Sequence, residues 1–107
     1  LAPASNEIDE AKTISATTII NDNKALNIMQ LAGLIKRSSY VISNDTGPAH
    51  MAAHLNKNGI VLFGHHTTAK KVSIETEKFK AISVDDLNKL SAEEVYSKIK
   101  DKLKLVN

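Results

Sequence analysis

Ser43-Asn44-Asp45-Thr46-Gly47-Pro48-Ala49-His50-Met51-Ala52-Ala53-His54 is the stretch that decides how this chain folds. The compact apolar run Tyr40-Val41-Ile42-Ser43 leads into it and reads as a strand, and a helix is expected from about Pro48 to Leu55. The turn between them therefore lies at the carboxyl end of a strand, where open α/β sheets place their ligands. Gly47 lets a ligand approach the backbone closely, and Pro48 fills a first-turn position whose N–H would have no intrahelical partner. The remaining N–H groups and the helix dipole favour an anion such as a diphosphate. Asp45 and Thr46 add an acceptor and a hydroxyl, and His50 sits about one turn into the helix. A carboxylate beside bound phosphate would be repelled, so Asp45 is expected to face a sugar hydroxyl or an amide. The same residue order also makes a helix cap with no ligand, and the residues alone leave both readings open.

Working outward, Asn56 to Gly59 stop the helix and Ile60-Val61-Leu62-Phe63 reads as a second buried strand. Continuous apolarity in both runs predicts central strands of a parallel sheet covered on both faces. Upstream, between Ala25 and Arg37, Ile28, Leu31, Ala32 and Ile35 recur at helical spacing, with Lys36 and Arg37 in the last turn. Thr17 to Ile20 is a β-branched run expected as a short strand, ended by the turn formers Asn21-Asp22-Asn23. A first helix is expected from about Glu7 to Ser15, capped by Ser5 or Asn6, with Glu7, Asp9 and Glu10 at its positive end. Downstream, Lys80 to Val84 alternates as a last strand. Ser91-Ala92-Glu93-Glu94 is a capping box opening a final helix, with Val95, Ile99, Leu103 and Val106 on one stripe. This order predicts an α/β protein, a Rossmann-like parallel sheet with helices on both faces. No linker or repeat divides the chain, so residues 1–107 are read as one domain.

Composition narrows the chemistry. A chain of 107 residues that is 42% hydrophobic and 24% charged is globular rather than disordered or fibrous. Its net charge of +2 is too small an excess for a nucleic-acid binder. Without cysteine there are no disulfides, thiolate zinc sites or thiol nucleophiles. The glycines form no Gly-x-Gly-x-x-Gly, which disfavours a dinucleotide oxidoreductase. His50 and His54, four apart, could join His65-His66 around a metal. No carboxylate at helical spacing accompanies them, so no metal is expected. Runs such as Ile60 to Phe63 are far too short to span a bilayer. The opening Leu1-Ala2-Pro3-Ala4-Ser5-Asn6 reads as a loop leaving an element outside the chain, which is therefore expected to be part of a longer protein.

Asp45-Thr46-Gly47-Pro48-Ala49-His50-Met51-Ala52-Ala53 strongly resembles the Asp-Thr-Gly-Pro-x-His-x-Ala signature of family 9 glycosyltransferases, the bacterial heptosyltransferases of lipopolysaccharide core assembly. Leu31 to Ser43 resembles the helix and strand that lead into that signature, Val61-Leu62-Phe63-Gly64 the strand and glycine after it, and Ala4 to Ala11 the acidic helix start before them. The resemblance covers about residues 1 to 68, and the last helix fits it loosely. It departs after Phe63-Gly64. The family often has Pro-Thr-Asp-Pro there, whereas this chain has His65-His66-Thr67-Thr68, which sets the donor-facing loop apart.

The resemblance implies the C-terminal portion of a GT-B glycosyltransferase: a partial nucleotide-sugar-binding domain, with the N-terminal acceptor domain outside the chain. Asp45 would bind donor-sugar hydroxyls, and Thr46, Gly47 and the amides beside Pro48 would hold the diphosphate. His50 would support the loop or contact the phosphate. Glu7 would bind ribose hydroxyls, and the backbone near Leu26 would line the nucleobase pocket. The implied reaction is inverting and metal-independent and needs no cofactor. It transfers heptose or a related sugar from a donor such as ADP-heptose to lipopolysaccharide core, with the catalytic base outside this chain, so the chain alone is expected to be inactive. The implied location is cytoplasmic, peripheral at the inner membrane. Lys98, Lys100, Lys102 and Lys104 could meet anionic lipid there, although a solvated helix face is the simpler reading. The competing reading is a non-catalytic nucleotide- or phosphate-binding α/β module.

Overall fold

The computed structural model describes residues 1–44, 46–64 and 74–106 and, at 104–106, the backbone alone. The chain forms two compact units, residues 1–34 and 35–107.

In the first unit, the helix expected from Glu7 to Ser15 is a single turn, α1 (Ile8–Ala11), whose N-cap is Glu7 rather than Ser5 or Asn6. It ends early because Thr13 competes for the ladder. Its Oγ1 and its N–H both donate to the Glu10 carbonyl, at 2.7 and 3.1 Å, replacing the i→i−4 pattern. No strand forms over Thr17 to Ile20. The Leu1 ammonium donates to the Thr17 carbonyl (2.7 Å) and the Ile19 N–H to the Leu1 carbonyl (2.8 Å), a parallel pairing one residue long that builds no ladder. The expected turn follows. Asn21 and Lys24 exchange both backbone hydrogen bonds at 2.9 Å around Asp22 and Asn23, whose φ values of 50° and 63° suit the two residue types that best tolerate the left-handed region.

Helix α2 (Ile28–Arg37) starts later than Ala25 because a capping box fixes it. Asn27 Oδ1 accepts from the Gln30 N–H at 2.8 Å, and Gln30 Oε1 accepts from the Asn27 N–H at 3.0 Å. The helix crosses from the first unit into the second, where Ile35 is buried.

The second unit holds β1 (Val41–Asn44), α3 (Gly47–His54), β2 (Gly59–Phe63) and β3 (Phe79–Ser83), then a 3₁₀ turn (Leu87–Lys89) and α4 (Ala92–Val106). The strands form a parallel sheet in the order β1-β2-β3, with Ile42 opposite Ile60 and Ile60 opposite Lys80. Parallel neighbours need a crossover, and α3 supplies the one between β1 and β2. The result is the expected Rossmann-like α/β architecture. Helix α3 closes on Asn56 (φ 55°): the Asn56 N–H donates to Ala53 and the Lys57 N–H to Ala52, both at 3.0 Å, the paired bonds of a Schellman cap. The expected box at α4 is present, with the Glu94 N–H donating to Ser91 Oγ at 3.1 Å.

The core centres on β2. Val61 and Phe63 are fully buried, as are Phe79 on β3 and Ala49 and Ala52 on α3. Gly59 is required here, because a Cβ would strike the Val41 carbonyl and come within 2.9 Å of the Phe79 ring. β1 departs from the expectation of a strand covered on both faces. It is the outer strand of this sheet, and Ile42 is 54% exposed. Ile42 lines an open apolar groove of about 530 Å³ together with Leu62, Leu87, Val95 and Ile99, so α4 covers this face only in part.

Candidate functional site

The turn after β1 is organised around one carbonyl. The Asn44 C=O accepts from the Thr46 N–H (2.8 Å) and from Ser43 Oγ (2.8 Å), with Thr46 Oγ1 at the limit of bonding (3.5 Å). Asp45, the expected sugar-binding carboxylate, lies outside the described residues. Thr46 is the N-cap of α3 in extended conformation (φ −142°, ψ 180°), but its hydroxyl makes no capping bond. A side chain with ideal capping chemistry is thus turned back onto the strand, leaving the helix start uncapped by it.

The orphan donors of an α-helix normally find such a cap. Here the Ala49 N–H reaches the Thr46 carbonyl at 3.0 Å, and Pro48 has no N–H. Among the described residues nothing accepts from the Gly47 N–H. Gly47 itself is exposed, and a Cβ built on it meets nothing within 4 Å. Its φ is not positive, so neither backbone conformation nor packing calls for glycine. That separates it from Gly59. What a side chain at Gly47 would obstruct is access to the helix start from outside.

The structure brings four of the expected residues together. Thr46, Gly47 and His50 are exposed on the first turn of α3, Pro48 is half-buried between them, and the fully buried Ala49 and Ala52 anchor the helix beneath. Glu7 and Leu26 belong to the first unit. Glu7 is exposed, and its Oε1 accepts from the Ala4 N–H at 3.0 Å, so one carboxylate oxygen is committed to closing its own turn. Leu26 is half-buried, directly before the Asn27 cap. His65 and His66 lie outside the described residues.

Reading the signature alone leaves out Ser43 within the turn and the acidic pair Asp85-Asp86 after β3. Ser43 orients the turn through the Asn44 carbonyl, and its only sequence signal is a hydroxyl at the strand end. Asp85 and Asp86 follow β3, whose carboxyl end lies at the same sheet edge because the strands are parallel. Asp86 accepts from the Asn88 N–H at 3.0 Å and caps the 3₁₀ turn. An acidic pair straight after an alternating strand was the available signal.

Among the described residues, the one displaced ionisation lies at the other end of β1. Burial raises the Tyr40 phenol above its ordinary value of 10.0, and its hydroxyl is buried without a hydrogen-bond partner among the described residues. Tyr40 precedes the first residue of β1, away from the turn, and so supports the strand rather than the site.

A family model described as glycosyltransferase family 9 (heptosyltransferase) matches residues 4–102 and so spans both compact units. No curated protein and no solved structure matches the chain significantly.

Proposed function

The chain belongs to glycosyltransferase family 9, and from that premise we propose that it supplies the donor-binding part of a heptosyltransferase-like enzyme. Membership in the family implies glycosyl transfer from a nucleotide-sugar donor to a sugar acceptor. The finer reading concerns which groups do what. The observation that carries it is the start of α3, where among the described residues the Gly47 N–H is unclaimed and a Cβ on Gly47 would meet nothing, and where Thr46 is turned away from capping.

In this reading the diphosphate of a donor such as ADP-heptose sits on the first turn of α3. The Gly47 N–H and the positive end of the helix dipole stabilise its charge. Thr46 Oγ1 and His50 lie on the same exposed turn and contact phosphate, while Asp45 binds sugar hydroxyls. An acceptor hydroxyl on lipopolysaccharide core attacks the anomeric carbon as the bond to the leaving diphosphate breaks, inverting that centre. The proton passes to a carboxylate outside residues 1–107, and the chain by itself does not turn over. The helix start stabilises the departing charge in place of a metal. The reaction belongs at the cytoplasmic side of the inner membrane, with exposed Lys98 and Lys102, one turn apart on α4, toward anionic lipid. Among the described residues no helix is long and apolar enough to cross a membrane.

Calorimetry with ADP-heptose, ADP and inorganic phosphate tests the reading. Binding of the sugar nucleotide at least tenfold tighter than ADP is the expected result. Equal, weak binding of all three would instead indicate a phosphate-binding module without transferase duty.

A further inference from the structure

Among the described residues β3 is the last strand of the sheet, and an outer strand normally presents a row of unpaired N–H and C=O groups on which another chain can add. The register with β2 fixes which groups those are. Alternate residues of a parallel strand direct their backbone groups to opposite sides, and Val84, whose N–H donates to the Phe63 carbonyl at 3.0 Å, is on the inward set with Lys80 and Ile82. Phe79, Ala81 and Ser83 therefore point their backbone groups away from β2.

Three of those outward groups, the Phe79 N–H and C=O and the Ala81 N–H, already have partners. The Thr76 N–H donates to the Phe79 carbonyl at 2.9 Å, and Thr76 Oγ1 accepts from the Phe79 N–H at 3.0 Å and the Lys78 N–H at 3.2 Å. Glu75 Oε2 accepts from the Ala81 N–H at 3.0 Å. Ile74, only 2% exposed, anchors the segment in the core. Three of these four bonds end on side-chain oxygens. Glu75 and Thr76 thus occupy the outer side of β3 at Phe79 and Ala81, largely through side-chain oxygens that offer no strand backbone for further pairing.

We propose that Glu75-Thr76 is an edge guard that ends the sheet at β3 and blocks strand addition there by a second copy of the chain. A copy pairing with β3 would have to displace the Glu75 carboxylate from Ala81 and both Thr76 contacts from Phe79. Hydrogen exchange of the full chain tests the first element of this. Glu75→Ala should speed exchange of the Ala81 amide about tenfold and leave Val61 and Phe63 on β2 unchanged. Glu75→Gln, which keeps an acceptor oxygen, should retain protection. Sedimentation velocity tests the second element: the double variant Glu75→Ala with Thr76→Val should self-associate more strongly than the parent at every concentration. Unchanged Ala81 exchange in Glu75→Ala, or sedimentation of the double variant identical to the parent, would overturn the proposal. If the double variant fails to fold, the single-variant amide exchange still decides.

Discussion

Gly33 and Gly47 both face open space, yet they predict different things. Gly33 lies inside α2, where glycine is a poor helix former, so Gly33→Ala should raise stability by about 0.5–1 kcal/mol in a thermal melt and leave ligand binding untouched. Gly47 opens α3 at the sheet edge, where its N–H is unclaimed among the described residues and is the group proposed to meet the donor. The signature residues from Thr46 to His50 could be placed on their turn from sequence because strand, glycine and proline each constrain the backbone. The orientation of the Thr46 hydroxyl could not, since capping and ligand binding use the same residue types. Tyr40 gives a second test at this scale. Its raised phenol favours the neutral form in the folded state, so the related stability is present below pH 10 and is lost as pH rises through the folded value. Tyr40→Phe removes both the orphaned hydroxyl and the titration. It should melt no lower than the parent at neutral pH, and chemical denaturation above pH 10 should show a shallower decline.

Helix ends decide the elements. The Ser91–Glu94 box of α4 was legible as a pattern, and the Asn27–Gln30 box of α2 carried the same pattern but was hidden by the apolar periodicity that reaches back toward Ala25. Ser91→Ala and Asn27→Ala should each cost about 1 kcal/mol, read as a fall in melting temperature of roughly 4–8 °C per variant. The failures have local causes. Thr13 ends α1 by taking the Glu10 carbonyl, a competition that acidic first-turn residues do not reveal. The β-branched run at Thr17 to Ile20 has the propensity for a strand but pairs only with Leu1, and propensity without a partner makes no ladder. β2 was readable because its apolar run is buried along nearly its whole length, whereas the similar run in β1 leaves Ile42 exposed.

Over the whole molecule, apolar surface is left open in both units. In the first unit Ile28 is 68% and Met29 78% exposed, and in the second Ile42 and Tyr96 flank the groove beside α4. Surfaces of this kind drive association. Sedimentation of the chain alone should show concentration-dependent self-association, reduced by Met29→Lys or Ile42→Lys. A monomer at all concentrations would contradict this. The α/β class was legible because buried parallel strands and capped helices each leave their own pattern. The division into units 1–34 and 35–107 was not, since it falls inside α2, where composition does not change.

The central claim is that α3 begins at Gly47 in order to hold a donor's diphosphate. Titrating the parent chain and Gly47→Ala with ADP-heptose, alongside thermal melts of both, tests it most directly. Unchanged or slightly raised stability together with binding at least tenfold weaker is the expected result. Equal affinity for the two proteins, or a loss of folding stability on adding the methyl group, would contradict it.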